Sequence, residues 1–159
     1  MTSKGEDRHR RALYTFLRRT SPYPSMTTFD APSREVCTLR RISTNTPLQA
    51  LVTLNDPVYV EAAQSLARLV WAHDRDPATI AGEAVQRVLC RPAKPEEIVE
   101  IVGLYESELR HYNGNPDDAV KLASDPIGPI PDGADPAQLA AWTVVCNVIL
   151  NLDETLTRN

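Results

Sequence analysis

Asp30 is the first candidate for a chemical role in this sequence, because it lies in a polar run without a regular period. The run reads MTTFDAP, in which Thr27 and Thr28 precede Asp30. A carboxylate beside hydroxyl groups can act as a general base, a metal ligand or a sugar-binding group. The simpler interpretation, which we favour, is that Asp30 caps a turn by accepting backbone N–H groups from Ser33 or its neighbours.

Arginines close to Asp30 in the sequence are candidates for anion binding. Arg34, Arg40 and Arg41 carry guanidinium forks that suit a sulfate, a phosphate or a carboxylate. Asp30 and Arg34 are therefore the candidate catalytic residues. The candidate ligand-binding residues are Thr27, Thr28, Arg40 and Arg41. The competing and favoured interpretation is that the arginines pair with acidic groups elsewhere in the chain or in an upstream domain.

The charge of the chain is unevenly distributed. Residues 1–41 carry a formal charge of +5, so residues 42–159 carry -9 of the total of -4. A basic end can indicate nucleic-acid binding, but here the arginines are interleaved with apolar residues and lack aromatic partners for stacking. We therefore expect no nucleic-acid partner.

Composition predicts a single soluble globular domain over residues 1–159, since 42% of the residues are hydrophobic and 24% are charged. The longest apolar run is shorter than the ~20 residues that a membrane span requires. The first residues are too polar for a secretory signal, so we expect neither a membrane span nor export by a signal in this chain.

Cysteine and histidine usage predicts no cofactor and no metal in this chain. Cys37, Cys90 and Cys146 are an odd number and far apart, which argues against a disulfide framework. The sequence contains no Cys-x-x-Cys-His motif for haem attachment, and no two histidines are spaced for a helical metal site. Cys37 lies among charged residues and is either a reactive thiol or, more commonly, a small buried side chain.

A capping residue followed by proline occurs five times and predicts helix starts. In the first of these starts, Gln49 follows Thr46 by three residues and predicts a capping box. Apolar stripes at helical spacing support the helices, and Tyr105, Tyr112 and Trp142 on those stripes are expected to pack in the core rather than form a sugar platform. The predicted helices cover residues 47–54, 57–72, 77–90, 95–112, 116–123 and 136–154, with a short amphipathic helix at residues 8–19.

Two segments are predicted to be irregular, namely a long ordered loop at residues 20–46 and a proline- and glycine-rich linker at residues 124–135. No strand pattern of similar quality occurs. The predicted fold is therefore all-α, a compact bundle of about six to seven helices with one long N-terminal loop.

Two stretches of the sequence resemble a known family. RRALYTFLRRTSPYPSMTTFDAPSREVCTLRRISTNTPLQALVTLNDPVYVEAAQSLARLV resembles the C-terminal domain of unknown function of planctomycete cytochrome-c-domain proteins, and AAWTVVCNVILNLDETLTR resembles the closing helix of that domain. The resemblance implies a longer, exported parent protein in which a haem-binding region precedes this domain. It also implies a periplasmic or cell-envelope setting and a link to polysaccharide breakdown, without a defined activity.

The first functional hypothesis is an accessory or interaction domain that packs on upstream domains of a longer parent protein. On this hypothesis the chain is a C-terminal fragment of that parent, and residues 25–45 lie at the interface or at the rim of a ligand groove. The alternative is a carbohydrate-active enzyme or ligand-binding module, acting on a sulfated polysaccharide through the same loop. The sequence alone leaves open whether the domain is an enzyme.

Overall fold

The computed structural model describes residues 12–14, 24–32, 36–40, 44, 46–71 and 76–157. Within these residues the regular structure is helical, which confirms the predicted all-α fold. A 3-10 turn at Ala12–Tyr14 is the described part of the predicted helix at residues 8–19. The α-helices are α1 (Pro24–Thr28), α2 (Pro47–Asn55), α3 (Pro57–Val70), α4 (Pro77–Leu89), α5 (Pro95–Gly114), α6 (Pro116–Ser124), α7 (Pro136–Leu150) and α8 (Asp153–Leu156).

Proline occupies the first position of every helix from α1 to α7, where its missing N–H has no intrahelical partner to lose. The side chains of Thr46, Asp56 and Asp135 cap the helices that follow them, as predicted. Asp76 and Asn115 precede helices in the same way, but neither side chain makes a cap hydrogen bond. Asn115 instead donates from its side-chain amide to the carbonyl of His111, which closes the preceding helix.

The core is organised around α7, which packs against α3, α5 and α6. Trp142, Val145, Cys146 and Ile149 of α7 are all buried. Alanines on the neighbouring helices let their backbones approach α7 closely, and several are fully inaccessible to solvent. These are Ala63 and Ala67 of α3 and Ala81 and Ala84 of α4.

Two short helices were not predicted, so the described residues contain eight α-helices rather than six or seven. α1 lies inside the segment predicted to be a loop, and Pro24 starts it. The helix predicted at residues 136–154 is two helices, because the extended backbone of Leu152 (ψ 144°) separates α7 from α8. The hydroxyl of Thr155 donates to the carbonyl of Ile149 across this break.

The end of α5 also differs from the prediction. The predicted helix ends at residue 112, but α5 continues through Asn113 and Gly114 and is capped by Asn115, which has a φ of -135°. The amide of Asn115 satisfies the terminal carbonyl of His111, so a left-handed residue is not needed there.

Polar side chains of α3 bind backbone carbonyls in the last turn of α6 and in the predicted linker that follows it. Gln64 is buried and donates from Nε2 to the carbonyls of Leu122 (2.5 Å) and Asp125 (2.8 Å). Arg68 donates from Nη2 to the carbonyls of Ala123 (2.9 Å) and Gly128 (2.7 Å). Gly128 has a φ of +108°, which a side chain would strain. The linker is therefore tied to the bundle by its backbone.

Candidate functional site

The loop that carries Asp30 is joined to α2 through the side chain of Gln49. Gln49 Nε2 donates to the carbonyl of Thr28 (2.9 Å) and to the hydroxyl of Thr44 (3.1 Å). Gln49 Oε1 accepts from the backbone N–H of Thr46 at 2.9 Å, which confirms the predicted capping box. Only 2% of Gln49 is exposed, whereas its partners Thr28 and Thr46 are half-buried and Thr44 is exposed, so the network lies at the edge of the interior.

Asp30 completes this network from the other side. Its Oδ2 atom accepts from the backbone N–H (2.9 Å) and hydroxyl (2.6 Å) of Thr44, and Gln49 Nε2 lies 3.4 Å away. The backbone of Asp30 is left-handed, with a φ of 56°, a conformation that Asp tolerates better than most residues. The carboxylate therefore closes a loop by binding Thr44, fourteen residues later, whereas the predicted donors were Ser33 or its neighbours. Ser33 itself lies outside the described residues.

Of the other candidate site residues, only Thr28 is found in the described part of the Asp30 network. Thr28 joins the Asp30 network through its backbone carbonyl, while Thr27 is exposed at the end of α1. Arg40 is exposed. Arg34 and Arg41 lie outside the described residues. The structure thus brings Asp30 and Thr28 together around Gln49, and the proposed catalytic and ligand-binding roles stay predictions.

The aromatic side chains divide between the loop and the core. Phe29 packs against Tyr59 of α3, with ring centroids 5.9 Å apart, and so anchors the Asp30 loop on the bundle. Tyr105 stacks on Trp142 at 4.4 Å, and both are buried, which places them in the core as predicted. Burial raises the pKa of Tyr105 and of the half-buried Tyr112 above the ordinary value of 10.0.

Helix α2 buries polar residues and exposes leucines. Gln49 and Thr53 are 2% and 1% exposed, whereas Leu48, Leu51 and Leu54 are 57%, 58% and 42% exposed. We call the three exposed leucines the α2 surface. A helix on the outside of a globular protein normally turns its apolar stripe inwards. The α2 surface is thus an apolar face without a partner among the described residues.

Hydrogen bonds to α7 and its C-terminal end explain why α2 is oriented in this way. The hydroxyl of Thr53 lies 2.5 Å from Oδ1 of Asn151, and Nδ2 of Asn147 donates to the carbonyl of Leu54 at 3.4 Å. Together with Gln49 these polar contacts fix the inner face of α2, so its leucines must face outwards. In the segment before α2, Val36 and Leu39 are also exposed, at 73% and 105%.

A second polar cluster surrounds Arg91, between α4 and α5. Its guanidinium donates to both carboxylate oxygens of Glu97 (2.8 and 2.9 Å) and of Glu154 (2.7 and 2.8 Å). Glu97 also accepts the backbone N–H of Lys94 at the start of α5. These bonds lower the pKa of Glu97 from its ordinary value of 4.5 to about 2, and the bonds from Arg91 have the largest effect. Arg91 likewise lowers the pKa of Glu154 and has its own pKa raised by both carboxylates.

The cysteines form no disulfide, and they differ in exposure. Cys37 is exposed, so the interpretation of this residue as a small buried side chain is wrong. Cys90 is exposed as well, whereas Cys146 is buried in α7. Burial raises the pKa of the Cys146 thiol to about 12, which suits a core side chain and not a nucleophile.

The described part of the chain contains no group of three metal-ligating side chains, and none of its helices is long and apolar enough to cross a membrane. The sequence contains no Cys-x-x-Cys-His, the motif through which a c-type haem is attached.

The sequence pattern predicted a capping role for Gln49 and no contact with the Asp30 loop. The spacing of Thr46 and Gln49 signalled the cap, but nothing local signalled that the same amide reaches Thr28 and Asp30. The α2 surface had a signal in the three-residue spacing of Leu48, Leu51 and Leu54. That spacing alone does not say which side of the helix is buried. The Arg91 cluster joins residues up to 63 positions apart and has no local signal.

Comparison with known proteins identifies the family of the chain. No curated protein and no solved structure matches it significantly. A family model described as PSD1, protein of unknown function (DUF1553), matches residues 1–105. The matched part contains α1, the Asp30 loop, α2 to α4 and the first half of α5, while α6 to α8 lie beyond it. Because the match covers more than half of the sequence, the chain belongs to the PSD1 (DUF1553) family.

Proposed function

We propose that this domain is an accessory interaction module that binds other domains of a longer parent protein through the α2 surface. The observation that carries the proposal is the orientation of α2, with Gln49 and Thr53 buried and the leucines exposed. Large exposed apolar faces on soluble domains commonly mark protein interfaces. Three leucines on successive turns match the way in which helical anchors meet a hydrophobic surface.

The Asp30 network supports this function by fixing the edge of the proposed interface. Asp30 and Thr28 hold the loop on Gln49, beside which α2 begins. An interface whose backbone is already ordered loses less conformational entropy on binding than a flexible one. On this proposal the polar cluster around Asp30 contributes to binding indirectly, by holding the start of α2 in place.

The proposed partner is the upstream part of a cytochrome-c-type parent protein, and the proposed setting is the cell envelope. Both rest on the sequence resemblance to planctomycete proteins described above. In this arrangement the haem would belong to the upstream part, and the present domain would contribute packing surface.

The test is a binding measurement between this chain and the upstream part of its parent, produced as separate polypeptides and followed by calorimetry. Substituting Leu48→Ser and Leu51→Ser together should weaken binding at least about tenfold, because apolar anchors dominate such interfaces. Leu69→Ser on α3 is the matched control, since Leu69 is 60% exposed, and it should change the affinity less than about twofold. A complex that tolerates the double substitution, or the absence of any complex, would contradict the proposal.

A further inference from the structure

Helix α8 lies on the bundle without burying any of its side chains. The structure describes all four of its residues, and each is exposed or half-buried. A cleft of about 460 Å³ lies between α8 and the end of α4, and its lining includes Leu89, Glu154 and Thr155. Elements that bury little apolar surface open more readily than a packed core does. Polar bonds must therefore account for much of what holds α8 in place.

The backbone between α7 and α8 has the geometry of a hinge. Asn151 caps the end of α7, and Leu152 is extended with a ψ of 144°, so the helical conformation is interrupted between the two helices. The hydroxyl of Thr155 donates to the carbonyl of Ile149 at 2.9 Å and is a local bond across this break. Residues at the ends of elements commonly absorb the backbone rotation of a moving segment. Rotation at Leu152 would displace α8 and leave α7 in the core.

Arg91 connects α8 to the start of α5. Its Nε and Nη2 atoms donate to the two carboxylate oxygens of Glu154, and Nη1 and Nη2 donate to those of Glu97. Most exposed ion pairs contribute little, but a guanidinium that binds both oxygens of two carboxylates has the favourable geometry. Lys94 adds a positive charge near both carboxylates, and its backbone N–H binds Glu97. Two cations thus balance the two carboxylates, and Arg91 supplies the hydrogen bonds that reach α8.

A second hollow adjoins the cleft, and Leu89 lines both. This hollow is a groove of about 300 Å³ between α4, α5 and α7, and Leu152 and Glu97 belong to its lining. The Arg91 pairs therefore join a carboxylate of the groove to a carboxylate of the cleft. We propose that α8 is a hinged strap and that Arg91 is the latch that holds it closed. Release of the strap moves Leu152 and Glu154 away from Leu89, so that the cleft and the groove become one longer opening.

The test measures the backbone order of α8 in the whole chain by NMR relaxation. Glu154→Ala removes the bonds to Arg91 and introduces the best helix former, so a loss of order cannot come from helix propensity. Arg91→Met removes the same bonds from the other side and leaves Glu154 in the first turn of α8. In both variants the order parameters of residues 155–157 should fall from about 0.85 to below about 0.6, while those of α7 stay near 0.85.

The matched control is Arg87→Met, which breaks an ion pair with Glu83 inside α4 and should leave the order of α8 unchanged. A soluble paramagnetic agent gives a second readout, because the relaxation that it induces at the Leu89 methyl groups reports their exposure. This relaxation should rise at least about twofold in Glu154→Ala and stay within about 1.2-fold in Arg87→Met. Order in α8 that both latch variants preserve would overturn the proposal. A loss of order that extends through α7, or an equal loss in Arg87→Met, would overturn it as well.

Discussion

The side-chain amide of Gln49 donates to the carbonyl of Thr28, 21 residues earlier in the chain and 2.9 Å away. This bond joins the last residue of α1 to the first turn of α2. The same amide is shared with Thr44 and Asp30, so a single buried side chain holds three parts of the loop. The outward position of the α2 leucines depends on this polar inner face.

Removing the amide should destabilise the whole domain. Gln49→Ala removes the hydrogen bonds that this side chain makes to the half-buried N–H of Thr46 and to the carbonyl of Thr28, so we expect the free energy of unfolding to fall by about 2–4 kcal/mol. Urea denaturation followed by circular dichroism measures this loss. Gln86→Ala on the exposed face of α4 is the control and should change stability by less than about 0.5 kcal/mol. Equal effects of the two substitutions would show that the Gln49 network contributes nothing.

Two substitutions of Asp30 should show how much stability comes from its hydrogen bonds and its left-handed backbone. Asp30→Ala loses the bonds to Thr44 and places alanine at a positive φ, so we expect a loss of about 2–3 kcal/mol. Asp30→Asn keeps an acceptor oxygen and tolerates the left-handed conformation, so its loss should stay below about 1.5 kcal/mol. Urea denaturation measures both values. An alanine variant as stable as the asparagine variant would be inconsistent with the role assigned to Asp30.

The Arg91 cluster should make stability depend on pH in the acidic range. The folded-state pKa of Glu97 is about 2 and lies below its ordinary value of 4.5, so ionised Glu97 stabilises the fold above pH 4.5. This contribution is lost as the pH falls from 4.5 towards 2, and Glu154, whose pKa is also lowered, changes in the same direction. The stability difference between the wild type and Arg91→Met should therefore be constant above about pH 5.5 and shrink below pH 4.5.

The control for Arg91 is Arg87, which pairs with Glu83 one turn away on α4. Arg87→Met breaks an exposed pair within one helix, so it should cost less than Arg91→Met at neutral pH. Chemical denaturation at a series of pH values measures both variants. A difference between wild type and Arg91→Met that persists unchanged at pH 2 would rule out charge pairing as its source.

The three thiols should react with a disulfide reagent at two very different rates. Cys37 and Cys90 are exposed, so we expect both to react promptly in the folded protein. Cys146 is buried and its pKa is raised to about 12, so its thiolate is scarce and inaccessible. It should react only at the rate of unfolding. Prompt modification of all three thiols in native buffer would contradict the buried position of Cys146.

Most of the fold follows from local sequence rules. Proline after a capping residue marks the start of α2, α3, α4, α6 and α7. In α4 and α7, apolar residues at helical spacing also define the buried side. These rules act within one or two turns, so they are readable from sequence. They overextended the last helix, because the break at Leu152 depends on a contact between Thr155 and Ile149 in the folded structure.

The candidate site was only partly predictable, for a related reason. The sequence pointed to Asp30 and its loop, but the partner of its carboxylate, Thr44, is fourteen residues away across an irregular segment. Hydrophobic periodicity also assumes that leucines face the core. In α2 this assumption is wrong, because Gln49 and Thr53 find polar partners in distant parts of the chain and occupy the inner face instead.

Hydrogen exchange of the α2 amides tests the central claim most directly. The exchange of residues 47–55 is compared between the isolated chain and the same domain within the proposed longer parent protein. If the α2 surface binds the rest of the parent, exchange should be at least about tenfold slower in the parent, because docking suppresses local opening. Leu48→Ser with Leu51→Ser should abolish this extra protection, and Leu69→Ser should preserve it. Equal α2 exchange in the isolated chain and in the parent would contradict the account.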